Sequence, residues 1–223
     1  MLLRSKNVSP VISYKNLRRV IGIFGILLPL VCYLNGILFA STPLQPSISA
    51  YYYTNARDFF VGLLVAVGLF LMTYKGYETI DIVISTATGI AGIGVAAFPC
   101  MPPDNILIKT GIFQLPSNIS NTIHLICAII FFLLLAVNSI FIFTLTDKTK
   151  PPTANKKKRN IVYIICGCVI LAMMILLLIV MLVPSLIPFI GIVFVLESIC
   201  LVAFGISWLV KGETLFKDEK NDA

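Results

Sequence analysis

The chain has 223 residues, of which 58% are hydrophobic and 12% charged, with a formal net charge of +7 and a mean hydropathy of +0.98. Soluble domains carry about 25% charged residues, so half of the usual solvating surface is missing and a soluble globular domain is excluded. The basic surplus does not point to nucleic acid, because the lysines and arginines sit in short segments between apolar runs, as topology signals do.

In chain order, six runs are long enough to cross a hydrocarbon core, which takes about 20 helical residues. They are expected at 18–40, 58–75, 79–98, 122–145, 161–183 and 189–210, giving an all-α, six-span bundle as a single domain (18–210) between tails at 1–17 and 211–223. Fifteen Lys and Arg residues fall on one side of this arrangement, from Arg4 to Lys220, and only Arg57 and Lys109 on the other. The positive-inside rule places both termini in the cytoplasm. The first run, Val20 to Ala40, is about twice the length of a signal-peptide core and reads as a retained span; Pro29 is expected to kink it. The third run puts Ser85, Thr88, Gly89, Gly92 and Ala96 on one face, and small residues let helices approach closely in lipid, so this helix is expected near the centre. The connection Thr146 to Asn160, with Pro151-Pro152 and Lys156-Lys157-Lys158-Arg159, reads as a solvated linker and topology anchor. Tyr51–Tyr53 on one side, and Tyr74, Tyr77, Tyr163 and Trp208 on the other, fit aromatic belts. Five of the six cysteines lie in apolar runs as small core residues, and no obligatory disulfide is expected.

With topology assumed, depth follows from position. Asp58 opens the second span at its outer end, beside Arg57; His124, the only histidine, lies in the first turn of the fourth. Asn35 is roughly 8 Å and Glu197 roughly 12 Å below the outer surface at 1.5 Å per residue. Ionisable groups within a span are costly and mark function by default, which singles out Glu197. Bland readings stand beside these: Asp58 at the positive end of its helix dipole, His124 bonded to a loop carbonyl, Asn35 bonded to a neighbouring helix. One histidine does not build a three-histidine zinc site of the ceramidase-like hydrolases, so no metal is expected, and no cofactor motif is present.

The segments Tyr51–Gly62, His124–Phe132 and Leu196–Gly212 resemble the bacterial six-span membrane proteins grouped as a domain of unknown function. More distantly, the topology and the histidine opening the fourth span are similar to the eukaryotic Frag/DRAM/Sfk membrane proteins. The first resemblance implies a bacterial cytoplasmic (inner) membrane protein without an assigned activity; the second implies lipid handling.

The leading expectation is an outward-opening pocket in the outer leaflet that binds or modifies a lipid or other amphiphile. Arg57 meets its phosphate or carboxylate, with Asn35, Tyr53 and Asn55 as further ligand-binding residues. Asp58, His124 and Glu197 form the proton-handling cluster. For an enzyme the reaction class is lipid hydrolysis or acyl transfer with His124 as general base; Ser49 is a candidate nucleophile that no motif supports. The alternatives are a small proton-coupled transporter, relayed by Glu197 and His124, and a structural or partner-binding membrane protein. Membrane lipids are the expected partners, nucleic acid is not, and oligomeric state is open.

Overall fold

Long runs of leucine, isoleucine, valine and phenylalanine, interrupted by few breakers, favour helices that satisfy every backbone group internally, as an apolar solvent requires. The computed structural model describes residues 14–74, 76, 78–146, 151–186 and 189–217. Arg4, Lys6, Lys75, Lys148, Lys150 and Lys220 of the charge count, and Tyr77 of the aromatic belts, lie outside them. Among the described residues the fold is all-helical: α1 (Tyr14–Ala40), α2 (Arg57–Thr73), α3 (Thr79–Ala97), α4 (Ser117–Val137), α5 (Ala154–Leu182) and α6 (Ile192–Lys211). A π-helical turn, Asn138–Ile142, extends α4. Five helices are long and apolar enough to cross a membrane. The sixth, α2, has 17 residues and a length of about 26 Å at 1.5 Å per residue.

The helices form a closed ring. Each packs on its neighbours in the chain, and α6 packs on α1 to close it. Two glycine crossings bring backbones together. A Cβ on Gly22 of α1 would lie 2.7 Å from the Gly205 carbonyl oxygen of α6, and one on Gly68 of α2 2.8 Å from that of Gly89 in α3. Phe60, Leu64 and Val67 of α2, Phe131 and Leu135 of α4, and Cys200 and Phe204 of α6 contribute to one continuous core. At one end Trp208 meets Tyr74 and Phe143 edge to face.

Three expectations change. Helix α3 is not central but one stave of the ring, packed against α2 and α4. Its small face is buried as expected, but it serves two neighbours: Gly89 admits α2, and Gly92 and Gly94 admit Phe131 and Cys127 of α4. Residues 154–160, expected as linker, form the first two turns of α5. Thr153 caps them by accepting the Lys156 amide at 3.0 Å, and Ala, Lys and Arg are good helix formers. Helix α4 starts at Ser117, ahead of the apolar run, for reasons given below. Helix α1 continues through Pro29.

The α3–α4 connection holds a small antiparallel pair, β1 (Lys109–Thr110) and β2 (Leu115–Pro116), with Lys109 opposite Pro116. The α1–α2 connection, residues 41–56, contains a 3₁₀ turn, Ser49–Tyr53. It touches α1, α4, α6 and the α3–α4 loop and so straps one end of the ring.

Candidate functional site

The strap ends of α3 and α4 are shaped by proline. In a helix the carbonyl of residue i accepts from the amide of i+4, but Pro99 and Pro102 have no N–H. The carbonyls of Val95 and Phe98 are thereby left without a helical donor. Helix α4 supplies partners from one face, at steps of three and four: Ser117, Ser120, Asn121 and His124. Ser120 Oγ donates to Pro99 O at 2.8 Å, and Asn121 Oδ1 accepts the Met101 amide at 2.9 Å. His124 Nδ1 lies 2.8 Å from Phe98 O and 3.1 Å from Val95 O. This capping work explains why the helix begins in polar sequence at Ser117.

Those two contacts decide the tautomer. Carbonyl oxygens only accept, so the proton sits on Nδ1 and the neutral ring presents Nε2 as an acceptor. Nε2 is 3.0 Å from Ser49 Oγ. Ser49 therefore donates its hydroxyl proton to His124, across 75 residues of sequence. Both are buried, His124 with 3% and Ser49 with 7% of its surface exposed. The histidine is also held by the C-terminal end of α3, the negative pole of the helix dipole.

Glu197 grips the same strap one residue earlier. Its Oε2 accepts the Ile48 amide at 2.7 Å. One turn before it on α6, the Phe194 amide donates to Pro46 O at 3.0 Å, and the Phe194 ring packs 5.8 Å from Tyr51. His124 on α4 and Glu197 on α6, helices that α5 separates in the ring, thus meet through the adjacent residues Ser49 and Ile48. Tyr53, at the end of the 3₁₀ turn, donates to Cys100 O at 2.6 Å. Burial, reinforced by the Glu197 carboxylate, pushes the Cys100 thiol up to about 12, so this cysteine stays protonated and is a poor nucleophile. Burial likewise raises the Tyr53 phenol.

The other residues singled out in the sequence are placed differently. Asn35 Oδ1 accepts from Asn55 Nδ2 at 2.8 Å, an exposed bond between the end of α1 and the strap. Arg57 donates to the Tyr52 hydroxyl at 2.6 Å and lies over that ring at 4.3 Å. Asp58 is exposed in the first turn of α2, outside the Ser49–His124–Glu197 network. A cavity of about 340 Å³ opens beside the strap, lined by Gln45, Tyr53, Pro102, Asp104, Ile106 and Ile108 among others. Of the expected ligand-binding residues, Tyr53 lines it. Among the described residues no group of three His, Cys, Asp or Glu side chains is placed to hold a metal ion.

Ser117, Ser120 and Asn121 were not singled out from sequence. Their spacing with His124, a polar stripe ahead of an apolar run, was the available signal. No family model, curated protein or solved structure matches the chain.

Proposed function

We propose that the chain is a six-span protein of a bacterial cytoplasmic membrane, with both termini in the cytoplasm, that transfers or hydrolyses an acyl group of a membrane amphiphile at its strap end. The observation that carries this reading is the Ser49 hydroxyl donating to the tautomer-fixed Nε2 of His124 at 3.0 Å. Helix α2 counts as a span because it closes the ring between α1 and α3, and its exposed Phe59, Leu69 and Met72 suit a lipid surface.

In the proposed step Ser49 Oγ attacks the ester carbonyl carbon while its proton passes to His124 Nε2. Collapse of the tetrahedral adduct breaks the carbonyl C–O bond, and the leaving alcohol oxygen takes the proton from Nε2. Water, or an acceptor alcohol, then attacks the acyl–Ser49 ester. Its proton follows the same route, and the departing Ser49 oxygen recovers a proton from the imidazolium. The Val95 and Phe98 carbonyls share one task of the carboxylate in a serine triad: they hold the ring in the tautomer and orientation that present Nε2 to Ser49. Glu197 is a positioning residue, fixing the strap through the Ile48 amide. With Ser49 at 7% exposure, the strap must shift for an ester to reach it.

The reconstituted protein is expected to hydrolyse a short-chain ester lipid in mixed micelles. Ser49→Ala and His124→Gln each abolish turnover while retaining the helical circular-dichroism spectrum. Full turnover in folded Ser49→Ala rules the mechanism out. Absence of turnover in the unsubstituted protein, together with a lowered melting temperature in both variants, assigns the pair to pinning the strap instead.

A further inference from the structure

The α3–α4 hairpin turns its most apolar side chains away from the protein. Ile106 is 56% exposed, Leu107 68%, Ile112 74% and Phe113 57%. Between Phe98 and Pro116 the only charges are Asp104 and Lys109. Side chains of this size exposed together mark an interaction surface.

The hairpin is held firmly. Gly111 takes φ +71°, and a Cβ there would lie 2.9 Å from the Ala97 carbonyl oxygen and 2.8 Å from Pro99. The Gln114 amide closes the turn on Gly111 O at 3.3 Å. Ser117 ties the base, its amide donating to Ile108 O at 2.8 Å, and Phe113 stacks on Phe98 with centroids 5.1 Å apart. The tip, Ile112–Phe113, is presented by a fixed frame.

We propose that this hairpin is a wedge seated in the interfacial zone of the lipid leaflet at the strap end. The occupant is argued from continuity. The hairpin joins the ends of α3 and α4, both long and apolar enough to cross a membrane, so its root sits where the chain leaves the hydrocarbon. Exposed Ile90 on α3, and Ile119 and Ile126 on α4, carry the apolar surface toward it. Exposed Lys109 is suited to a lipid phosphate, as lysines at membrane boundaries are. Ile106 and Ile108 also line the cavity beside Tyr53, so one edge of the wedge faces the lipid and the other faces the strap. An amphiphile leaving the leaflet along the hairpin arrives at that cavity. The inference rests on the reading that α3 and α4 cross the bilayer.

The test places tryptophan at Ile112 and, separately, at Ile90, in phosphatidylcholine vesicles with lipids brominated along the acyl chain. Emission is read over that of the unsubstituted protein, whose single tryptophan, Trp208, is buried. Both added tryptophans are expected to lose most of their emission to brominated lipid, Ile112→Trp to bromine near the carbonyl end and Ile90→Trp to deeper bromine. Both should resist aqueous iodide. Quenching of Ile112→Trp by iodide and not by lipid, with Ile90→Trp quenched by lipid, places the hairpin in water and overturns the proposal alone. Resistance of Ile112→Trp to both quenchers means protein covers the wedge, and also overturns it. Failure of lipid to quench Ile90→Trp removes the membrane reading of α3, and the wedge falls with it.

Discussion

Replacing Glu197 tests how the strap is held. Its Oε2 is an acceptor at 2.7 Å for the amide of Ile48, a residue itself 3% exposed. Glu197→Leu leaves that N–H facing an apolar side chain, and an orphaned donor of this kind costs about 1–3 kcal/mol. Glu197→Gln keeps an oxygen at the same reach, so its cost is expected below about 1 kcal/mol, the difference between a charged and a neutral acceptor. The loss falls on local opening of the strap, since the ring below is closed by separate helix contacts. Converted at RT, it predicts that amides 48–51 exchange about 5- to 150-fold faster in Glu197→Leu. In Glu197→Gln they exchange within about 5-fold of the unsubstituted protein. Hydrogen–deuterium exchange in detergent, read by mass spectrometry on peptides covering 44–54, gives these ratios. Unchanged exchange in Glu197→Leu would refute the argument that this carboxyl anchors the strap. Equal acceleration in both variants would show that charge, and not an acceptor, is what the strap needs.

Other expectations follow from packing and titration. Gly205→Leu should lower the melting temperature sharply, because a Cβ at Gly205 already lies 2.6 Å from the Gly22 carbonyl oxygen and overpacking costs about 1–3 kcal/mol or more. Gly62→Ala, with no atom within 4 Å of its new methyl, should raise stability by about 0.5–1 kcal/mol; a fall would contradict the open surface assigned there. Ser85 is fully buried, and its hydroxyl has no hydrogen-bond partner among the described residues. Ser85→Ala is therefore expected to stabilise by about 1 kcal/mol, and thermal unfolding in detergent decides the sign. Cys100 favours its protonated form in the folded state, with its thiol raised from 9.0 to about 12. The sign is that of a raised acid: its contribution to stability is present below pH 9 and lost as pH rises toward 12. Iodoacetamide should modify Cys100 far more slowly at pH 9 than after unfolding, as peptide mapping would show; equal rates would refute the shift.

Much of the fold was legible because lipid-compatible helices announce themselves by length and apolarity alone. The runs at α1, α3 and α6 needed no tertiary information. The starts of α4 and α5 were hidden for a different reason. There polar or basic residues extend a helix past the apolar run, held by partners distant in sequence, such as Pro99 O for Ser120 and Phe143 O for the Lys156 ammonium. The small face of α3 was read correctly as a close-packing face, but a face does not say how many neighbours share it. Local sequence nominated His124 and Ser49 separately and had no means to join them. Arg57 and Asp58 were legible only as adjacent charges at the end of a span. In the structure Arg57 turns to Tyr52 and Asp58 to the surface. Asn35 and Asn55 were both singled out, but only the strap's return across the ring shows that they bond to each other.

The most direct measurement is peptide mapping of the membrane-reconstituted protein after exposure to a fluorophosphonate, which phosphonylates activated serine hydroxyls. The account predicts one adduct, on Ser49, that is absent in His124→Gln, because without Nε2 the hydroxyl has no base. No adduct on Ser49, or an adduct formed equally well in His124→Gln, would contradict it.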